Sequence, residues 1–319
     1  MRLSIQGRPP EEQSRRVLHA ALDAGMRFID TADVYCLDDG DIGHNERLIA
    51  AVVRERSDRD RIRVGTKAGL TRPRGSWVSD GRPKHIRDAC ERSLKALGLE
   101  QIFLYQFHAP DPGIAFETSV EAFAELQREG KCLHVGLSNV TVKQLEAAAR
   151  IVHVASVQNR LSPFFRESLE NGVVPECARR GIVFIAYSPV GGGRLAKKLK
   201  KHPLMLELGE RHGVSPHAIA LAWLRAKSEG AVPIPGATRV ESVADCAAAA
   251  GVTLSGAEVD AMRWTRREAM RTPTLWLLIL TGVVGLILYY VGTPGASFTH
   301  QYYFRESHSP SAPTPRPGS

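Results

Sequence analysis

Residues 27–35 read RFIDTADVY. The stretch begins with a short apolar run that ends at the carboxylate of Asp30, and short apolar runs that end at polar residues recur along the chain. We predict a β-strand over Arg27–Thr31 and over six similar runs, at Ile62–Thr66, Ile102–Phe107, His134–Leu137, Ala155–Gln158, Val183–Ala186 and Val232–Ile234. Amphipathic stretches alternate with them, at Glu12–Ala24, Lys84–Leu97, Phe116–Arg128, Val142–Arg150 and Pro216–Lys227. Repeated strand-then-helix units predict parallel strands joined by helical crossovers.

These units fit either a closed barrel or a doubly wound sheet. The doubly wound alternative is disfavoured, because Gly191–Gly193 comes too late and has the wrong spacing for a dinucleotide-binding fingerprint. Polar residues follow the strand ends that form the active-site face of a barrel: Asp30, Lys67, His108, Ser138, Asn139, Gln158, Asn159, Tyr187 and Ser188. The sequence therefore predicts an α/β fold, a (β/α)8 TIM barrel. No signal for the N-terminal first strand of such a barrel is found, because Met1–Pro10 leads directly into the first helix; either the start lies upstream or this strand has been lost.

The composition is that of a folded enzyme from a reducing compartment. Of the 319 residues, 43% are hydrophobic and 24% are charged, and the five cysteines are scattered without a C-x-x-C pair. This argues against a disulfide framework or a metal site, and predicts a cytoplasmic location. The formal net charge is +8, with its clearest cluster at Lys197, Lys198, Lys200 and Lys201. Such a cluster is typical of a solvated face or a phosphorylated ligand, and no nucleic-acid-binding motif accompanies it.

An uncharged apolar segment, Leu275–Val291, lies near the C-terminus. Its length is close to the minimum of about 17 residues for a membrane span, and the arginines before it would keep the barrel on the cytoplasmic side. The sequence therefore predicts a barrel over residues 1–271, a transmembrane helix over residues 272–292 and a disordered tail over residues 293–319. A buried hydrophobic helix, or a tail created by a reading-frame error, is the open alternative.

Four titratable residues at or after strand ends, Asp30, Tyr35, Lys67 and His108, form a coherent proton donor for carbonyl reduction. Each alone also has a structural explanation, as a cap, a loop aromatic or a solvated strand end. A carbonyl that accepts hydride needs a proton on its oxygen, and a tyrosine hydroxyl can supply it. We expect a nearby ammonium to lower the tyrosine pKa, a carboxylate to hold that ammonium, and a neutral histidine to orient the carbonyl.

Three segments resemble the aldo-keto reductase family. FIDTADVY at residues 28–35, followed by HNERLI, is similar to the family segment that carries its Asp and Tyr. VGTKAG at residues 64–69 is similar to the strand that carries its Lys, and LYQFHAP at residues 104–110 to the strand that carries its His. The resemblance implies a catalytic tetrad of Asp30, Tyr35, Lys67 and His108, with Tyr35 as the general acid.

The resemblance extends to the segments that hold the cofactor. It implies that Ser138, Asn139 and Gln158 contact the nicotinamide carboxamide and that Tyr187 stacks beneath the nicotinamide ring. It also implies a loop over the pyrophosphate, formed by Ser188, Val190, Gly192 and Leu195. Plain strand-end hydrogen bonding and core packing are the alternative roles of these residues.

The segment IPGATRVESVADC at residues 234–246 resembles the part of the family that binds the adenosine end of NADP(H). It implies that Gly236, Ala237, Thr238 and Arg239 lie at a helix N-terminus, where an anion is favoured, with Arg239 suited to a 2′-phosphate. Asp245 would meet the adenine amino group. The segment departs from the family pattern at Cys246, where an Asn is usual, and at Ser242.

The resemblance implies an oxidoreductase that reduces a small-molecule aldehyde or ketone with NADPH, reversible as an alcohol dehydrogenase. Two alternatives from other classes stay open. Some proteins that resemble this family are nucleotide-binding regulatory subunits of membrane channels, a role that an apolar C-terminal segment would suit. In a related alternative, the chain is a truncated relative without activity. The other alternative is a barrel aldolase with Lys67 as its Schiff-base nucleophile.

Overall fold

The computed structural model describes residues 2–228 and 230–262. Seven parallel strands form one sheet in the order β1 (Phe28–Asp30), β2 (Arg63–Ala68), β5 (Ile102–Phe107), β6 (Cys132–Ser138), β7 (Val154–Arg160), β8 (Val183–Tyr187) and β9 (Val232–Ile234). These are the seven runs that the sequence predicts. The two intervening strands, β3 (Leu70–Thr71) and β4 (Val78–Ser79), form a separate antiparallel hairpin.

Helices surround this sheet, and those predicted from periodicity are present with ends within one residue. The helices of the described residues, α1 to α12, span Glu11–Asp23, His44–Arg54, Pro83–Leu97, Phe116–Arg128, Val142–Ala149, Glu167–Glu170, Val173–Arg180, Gly193–Leu199, Pro203–His212, Pro216–Lys227, Val240–Ala248 and Gly256–Ala261. Local chemistry sets several starts. Ser215 accepts hydrogen bonds from the first backbone N–H groups of α10, and Pro216 fits its first turn.

The barrel is nearly closed, with a seam where an eighth strand would lie. Within the described residues, β1 pairs only with β2 and β9 pairs only with β8. The helix layer nevertheless continues across the seam: Gln13 of α1 donates a 2.7 Å hydrogen bond to the Thr238 carbonyl, and Val17 and Leu18 share an apolar cluster with Val243 of α11. The prediction of a TIM-type barrel with seven of its eight strands is therefore confirmed.

Strand residues alternate between the helix layer and the barrel interior. Tyr105 and Phe107 face outward, with ring centroids 5.1 and 5.5 Å from that of Phe123 on α4. Gln106 faces inward, into a crowded interior: a Cβ at Gly136 would lie 2.8 Å from its Cγ. The same alternation directs the interior side chains of neighbouring strands toward one another near their C-terminal ends.

The hairpin β3–β4 follows β2 directly and was not predicted from the sequence. Gly69 makes the turn into it with a φ of 106°, and a Cβ there would lie 2.7 Å from the Phe107 ring. Glycine is therefore required on both conformational and steric grounds. The Asp80 N–H donates to the Gly69 carbonyl at 2.9 Å and closes the base of the hairpin.

The C-terminal predictions lie outside the described residues. These are the transmembrane helix over residues 272–292, the tail over residues 293–319 and the exact end of the barrel at residue 271, and they stay predictions. Among residues 2–228 and 230–262, no helix has both the length and the apolar character that crossing a bilayer requires.

Candidate active site

Lys67 is the centre of the site and is the last residue but one of β2, at the C-terminal face of the barrel. Its ammonium Nζ donates to Asp30 Oδ2 at 2.6 Å, to the Thr31 carbonyl at 2.8 Å and to Tyr35 Oη at 3.1 Å. Lys67 is fully buried and the Asp30 side chain is 7% exposed. The strand end and the loop after β1 thus bring three of the four predicted tetrad residues into one hydrogen-bonded group.

The charges of this group depend on burial as well as on pairing. Burial alone lowers the pKa of Lys67, but Asp30 and Tyr35 outweigh it and the pKa is raised from its ordinary value. Burial raises the pKa of Tyr35, and the opposing effect of Lys67 does not fully compensate. Lys67 thus lowers the Tyr35 pKa as expected, but desolvation of the phenolate is the larger effect, and the pKa stays above its ordinary value.

His108 joins the group at the end of β5. Its ring lies 5.7 Å from the Tyr35 ring, centroid to centroid, in an edge-to-face arrangement. Burial, and then the charge of Lys67, hold the pKa of His108 well below its usual range, so the ring is neutral at neutral pH. Its buried Nδ1 has no hydrogen-bond partner in the described part of the chain. A neutral histidine beside the phenol is the arrangement that the sequence predicts.

Two glutamine amides extend the polar group across the barrel. The Gln158 amide donates to Asp30 Oδ1 at 2.8 Å and to Gln106 Oε1 at 3.2 Å, and the Gln106 amide donates to Asp30 Oδ1 at 3.2 Å. Gln158 thus lies beside the tetrad as well as on the strand predicted to meet a nicotinamide carboxamide. Gln106 was not singled out from the sequence, because a glutamine within an apolar strand carries no motif.

Four further predicted residues lie at the ends of β6 and β8. Asn139 donates to the His108 carbonyl at 2.9 Å and to Ser138 Oγ at 3.1 Å, and it accepts from the Tyr187 hydroxyl at 2.8 Å. Asn139 and Ser188 have left-handed backbones, with φ values of 59° and 50°. Such strain in non-glycine residues persists where surrounding structure enforces it, often at functional sites. Tyr187 is therefore held in a fixed position beside the tetrad.

The remaining predicted cofactor residues lie in two segments. Val190 and Gly192 belong to the turn from β8 into α8, where Gly191 and Gly192 have positive φ, and Leu195 lies in the first turn of α8. Residues Gly236, Ala237, Thr238 and Arg239 directly precede α11, so the predicted helix N-terminus is present. Arg2 packs close to Gly236. Asp245 lies farther along α11, where its carboxylate is 3.9 Å from His217 and faces a groove between α9, α10 and α11.

The hairpin adds two residues that sequence reasoning missed. Trp77 has its ring centroid 6.3 Å from those of both Tyr35 and His108, and Arg72 lies over the Trp77 ring at 4.0 Å. Neither belongs to a recognisable motif. A hairpin with strands of two residues has too little alternation to be detected, so nothing in the sequence placed Trp77 near the tetrad.

Comparisons with known proteins point to one family. The chain matches the aldo/keto reductase family over residues 1–265. It is 30% identical over 272 residues to a probable aldo-keto reductase of Glycine max, with 77% of each chain covered. It is 31% identical over 293 residues to the 6-dehydroglucose reductase of Novosphingobium aromaticivorans, with 89% of this chain and 90% of the relative covered. A crystal structure of an aldo-keto reductase from Klebsiella pneumoniae in complex with NADPH has a TM-score of 0.67 and 28% identity, with 79% of this chain and 84% of that chain covered.

Proposed function

The chain belongs to the aldo/keto reductase family, and from this premise we propose that it reduces an aldehyde or ketone to the alcohol, with NADPH as the reductant. One observation carries the proposal: Lys67 Nζ contacts both Asp30 and Tyr35 Oη, with the neutral His108 ring beside the phenol. This arrangement supplies a proton to an oxygen that gains negative charge. The reaction also runs in reverse, as alcohol oxidation.

Tyr35 is the proposed general acid. In this mechanism the carbonyl carbon would accept a hydride from bound NADPH. The Tyr35 hydroxyl donates its proton to the carbonyl oxygen as charge develops there, and the ammonium of Lys67 at 3.1 Å stabilises the phenolate that remains. Asp30 keeps Lys67 in place and charged. His108 donates a hydrogen bond to the same carbonyl oxygen and so orients the substrate.

The residues around this donor suit an NADP(H) molecule. Tyr187 offers an aromatic face fixed by Asn139, beside the tetrad where a nicotinamide ring would lie. Ser138 ends β6 and Asn139 follows it, and their hydrogen-bonded side chains lie at that same face of the barrel. At the other end, the backbone N–H groups that begin α11 and the exposed Arg239 suit a phosphate. We propose these residues as the cofactor contacts, with Ser188, Val190, Gly192 and Leu195 over the pyrophosphate and Asp245 toward the adenine.

The aldolase alternative is disfavoured by the state of Lys67. A Schiff-base lysine must be neutral to attack a carbonyl. Lys67 instead donates three hydrogen bonds, one of them to a carboxylate, and its pKa is raised despite burial because Asp30 and Tyr35 outweigh that burial. Its ammonium is therefore suited to hold charge rather than to act as a nucleophile.

The rate of reduction is expected to change little between about pH 6 and about pH 9. Reduction needs Tyr35 protonated and His108 neutral. Burial raises the pKa of Tyr35 from 10, so its proton is lost only on the far alkaline side, and burial with Lys67 holds the pKa of His108 well below 6.5. Alcohol oxidation needs the phenolate, so its rate should rise with pH over the same range. Initial rates at saturating NADPH, or NADP⁺ for the oxidation, measure both profiles.

A loss of reduction centred near pH 7 to 8 would contradict this assignment of Tyr35. NADPH affinity, measured at each pH on the same protein, separates an effect on cofactor binding from an effect on the proton donor.

The proposed function is tested by titrating the full chain with NADPH and NADH and then adding a panel of simple aldehydes. We expect saturable binding, a preference for NADPH, and aldehyde-dependent consumption of NADPH. Arg239→Ala is expected to weaken NADPH binding by roughly tenfold and NADH binding much less, because one charge-assisted contact to the 2′-phosphate is lost. Arg128→Ala is the matched control, because it removes an exposed arginine at the last residue of α4, which is not among the proposed cofactor contacts.

The outcomes of this experiment separate the alternatives. Tight NADPH binding with negligible turnover of every aldehyde would favour the nucleotide-binding regulatory role over the reductase. No binding by a cooperatively folded chain would mean that the seven-stranded barrel is an inactive relative. Equal weakening of NADPH and NADH by Arg239→Ala would remove Arg239 from the 2′-phosphate site.

A further inference from the structure

Three rings meet at the mouth of the proposed active site. The centroids of Tyr35, Trp77 and His108 are separated by 6.3, 5.7 and 6.3 Å, and every pair is arranged edge to face. Tyr35 and His108 are buried, whereas Trp77 is 46% exposed. Trp77 therefore presents an exposed indole that packs against both groups that would act on a carbonyl.

Arg72 fixes the position of this indole. Its Cζ lies 4.0 Å from the Trp77 ring centroid, and its Nη2 donates to the carbonyls of Cys36 and Leu37, both at 3.1 Å. Arg72 therefore joins the loop that carries Tyr35 to the hairpin that carries Trp77. Its side chain is buried, and Nε and Nη1 have no hydrogen-bond partner among the described residues. The indole face covers this guanidinium, an interaction that compensates partly for the missing partners.

This inference rests on the proposed reduction. We propose that Trp77 forms a wall of the substrate site and determines its specificity by selecting planar aromatic aldehydes or ketones. The same indole screens the Arg72 guanidinium from the substrate. Aromatic pairs with centroids about 4.5 to 7 Å apart are favourable beyond the area that they bury. A rigid planar substrate also loses little conformational freedom when it packs against a fixed ring. A flexible aliphatic aldehyde gains neither advantage.

The first test compares 2-naphthaldehyde with hexanal. Trp77→Ala is expected to lower kcat/KM for 2-naphthaldehyde by roughly tenfold and for hexanal by less than about threefold. Trp77→Phe, which keeps an aromatic ring, should retain the wild-type preference to within about threefold. Val78→Ala is the matched control, because Val78 is the next residue of the same hairpin and is 45% exposed. An equal loss for both aldehydes in Trp77→Ala would overturn the proposed selectivity.

The second test uses the screened charge. In Trp77→Ala the Arg72 guanidinium is uncovered, so the ratio of kcat/KM for 4-carboxybenzaldehyde to that for benzaldehyde should rise by roughly tenfold. The double variant Trp77→Ala/Arg72→Met should lose this rise. An unchanged ratio in Trp77→Ala would show that Arg72 does not face the substrate, and would overturn the screening role.

A binding measurement keeps this inference separate from the proposed function. 2-Naphthamide is planar and is not a substrate for reduction, and its dissociation constant from the NADP⁺-loaded protein can be measured by calorimetry. Trp77→Ala should raise it by roughly tenfold, and Val78→Ala should leave it unchanged. If aldehydes are not turned over but this difference is seen, the reductase proposal fails and the aromatic wall stands. If aldehydes are turned over but Trp77→Ala does not weaken the binding of 2-naphthamide, the reductase proposal stands and the aromatic wall fails.

Discussion

Tyr35→Phe is expected to lower kcat for aldehyde reduction by about 10²- to 10⁴-fold, the usual contribution of a positioned general acid. The change removes one oxygen atom, which contacts Lys67 Nζ at 3.1 Å, and leaves the ring against His108. NADPH affinity should change by less than about threefold, because the proposed cofactor contacts lie on other strands. Single-turnover rates with bound NADPH measure the chemical step directly.

Tyr105→Phe is the matched control for this variant. Tyr105 is also a fully buried tyrosine, but it faces the helix layer and donates its hydroxyl proton to the Ile86 carbonyl at 3.2 Å. It should retain wild-type turnover to within about twofold, with at most a modest loss of stability from one hydrogen bond. If Tyr35→Phe kept full turnover, Tyr35 would not be the proton donor. If it lost NADPH binding as well, the variant would report on the cofactor site instead.

The barrel could be predicted from sequence because its signals are local. Each long strand is an apolar run bounded by turn residues, and each predicted helix has an amphipathic period, so β5 at Ile102–Phe107 and α4 at Phe116–Arg128 were located to the residue. The seam could be inferred for the same reason, since no strand signal precedes α1. Short elements such as α8 and the hairpin β3–β4 were missed, because two to seven residues do not establish a period; the longer helices α2 and α9 were not singled out either.

The sequence predicted which residues form the tetrad, but it did not predict the net effect of burial on their pKa values. The sequence motifs predicted that Asp30, Tyr35 and Lys67 form one group. In the structure, Lys67 Nζ lies within hydrogen-bonding distance of both Asp30 and Tyr35. The lowering effect of Lys67 on the Tyr35 pKa was predicted, but the larger opposing effect of burial was not, because burial depends on packing from several strands and loops that no local pattern reveals. Trp77 was missed on similar grounds: its proximity to Tyr35 is created by the fold of the hairpin, 42 residues along the chain from Tyr35.

Lys67→Met is expected to lower the free energy of unfolding by about 3 to 5 kcal/mol and to abolish measurable reduction. The substitution keeps a side chain of similar length, but it leaves the Asp30 carboxylate buried with only the amides of Gln106 and Gln158 as side-chain partners. An unpaired charge in a buried site is far more costly than the same charge in water. Urea unfolding of the cofactor-free protein measures the stability, and aldehyde-dependent NADPH consumption measures the activity.

The double variant Asp30→Asn/Lys67→Met separates the two effects. It removes both charges, so it should regain most of the stability that Lys67→Met loses, because a buried ion pair contributes little net stability compared with a neutral pair of similar shape. Activity should not return, since no ammonium remains beside Tyr35. Lys84→Met, which breaks an exposed ion pair with Asp88 on α3, should leave stability almost unchanged. Additive losses in the double variant would show that Asp30 and Lys67 are not a coupled pair. Recovered activity would show that the ammonium is structural, and that Tyr35 donates its proton without it.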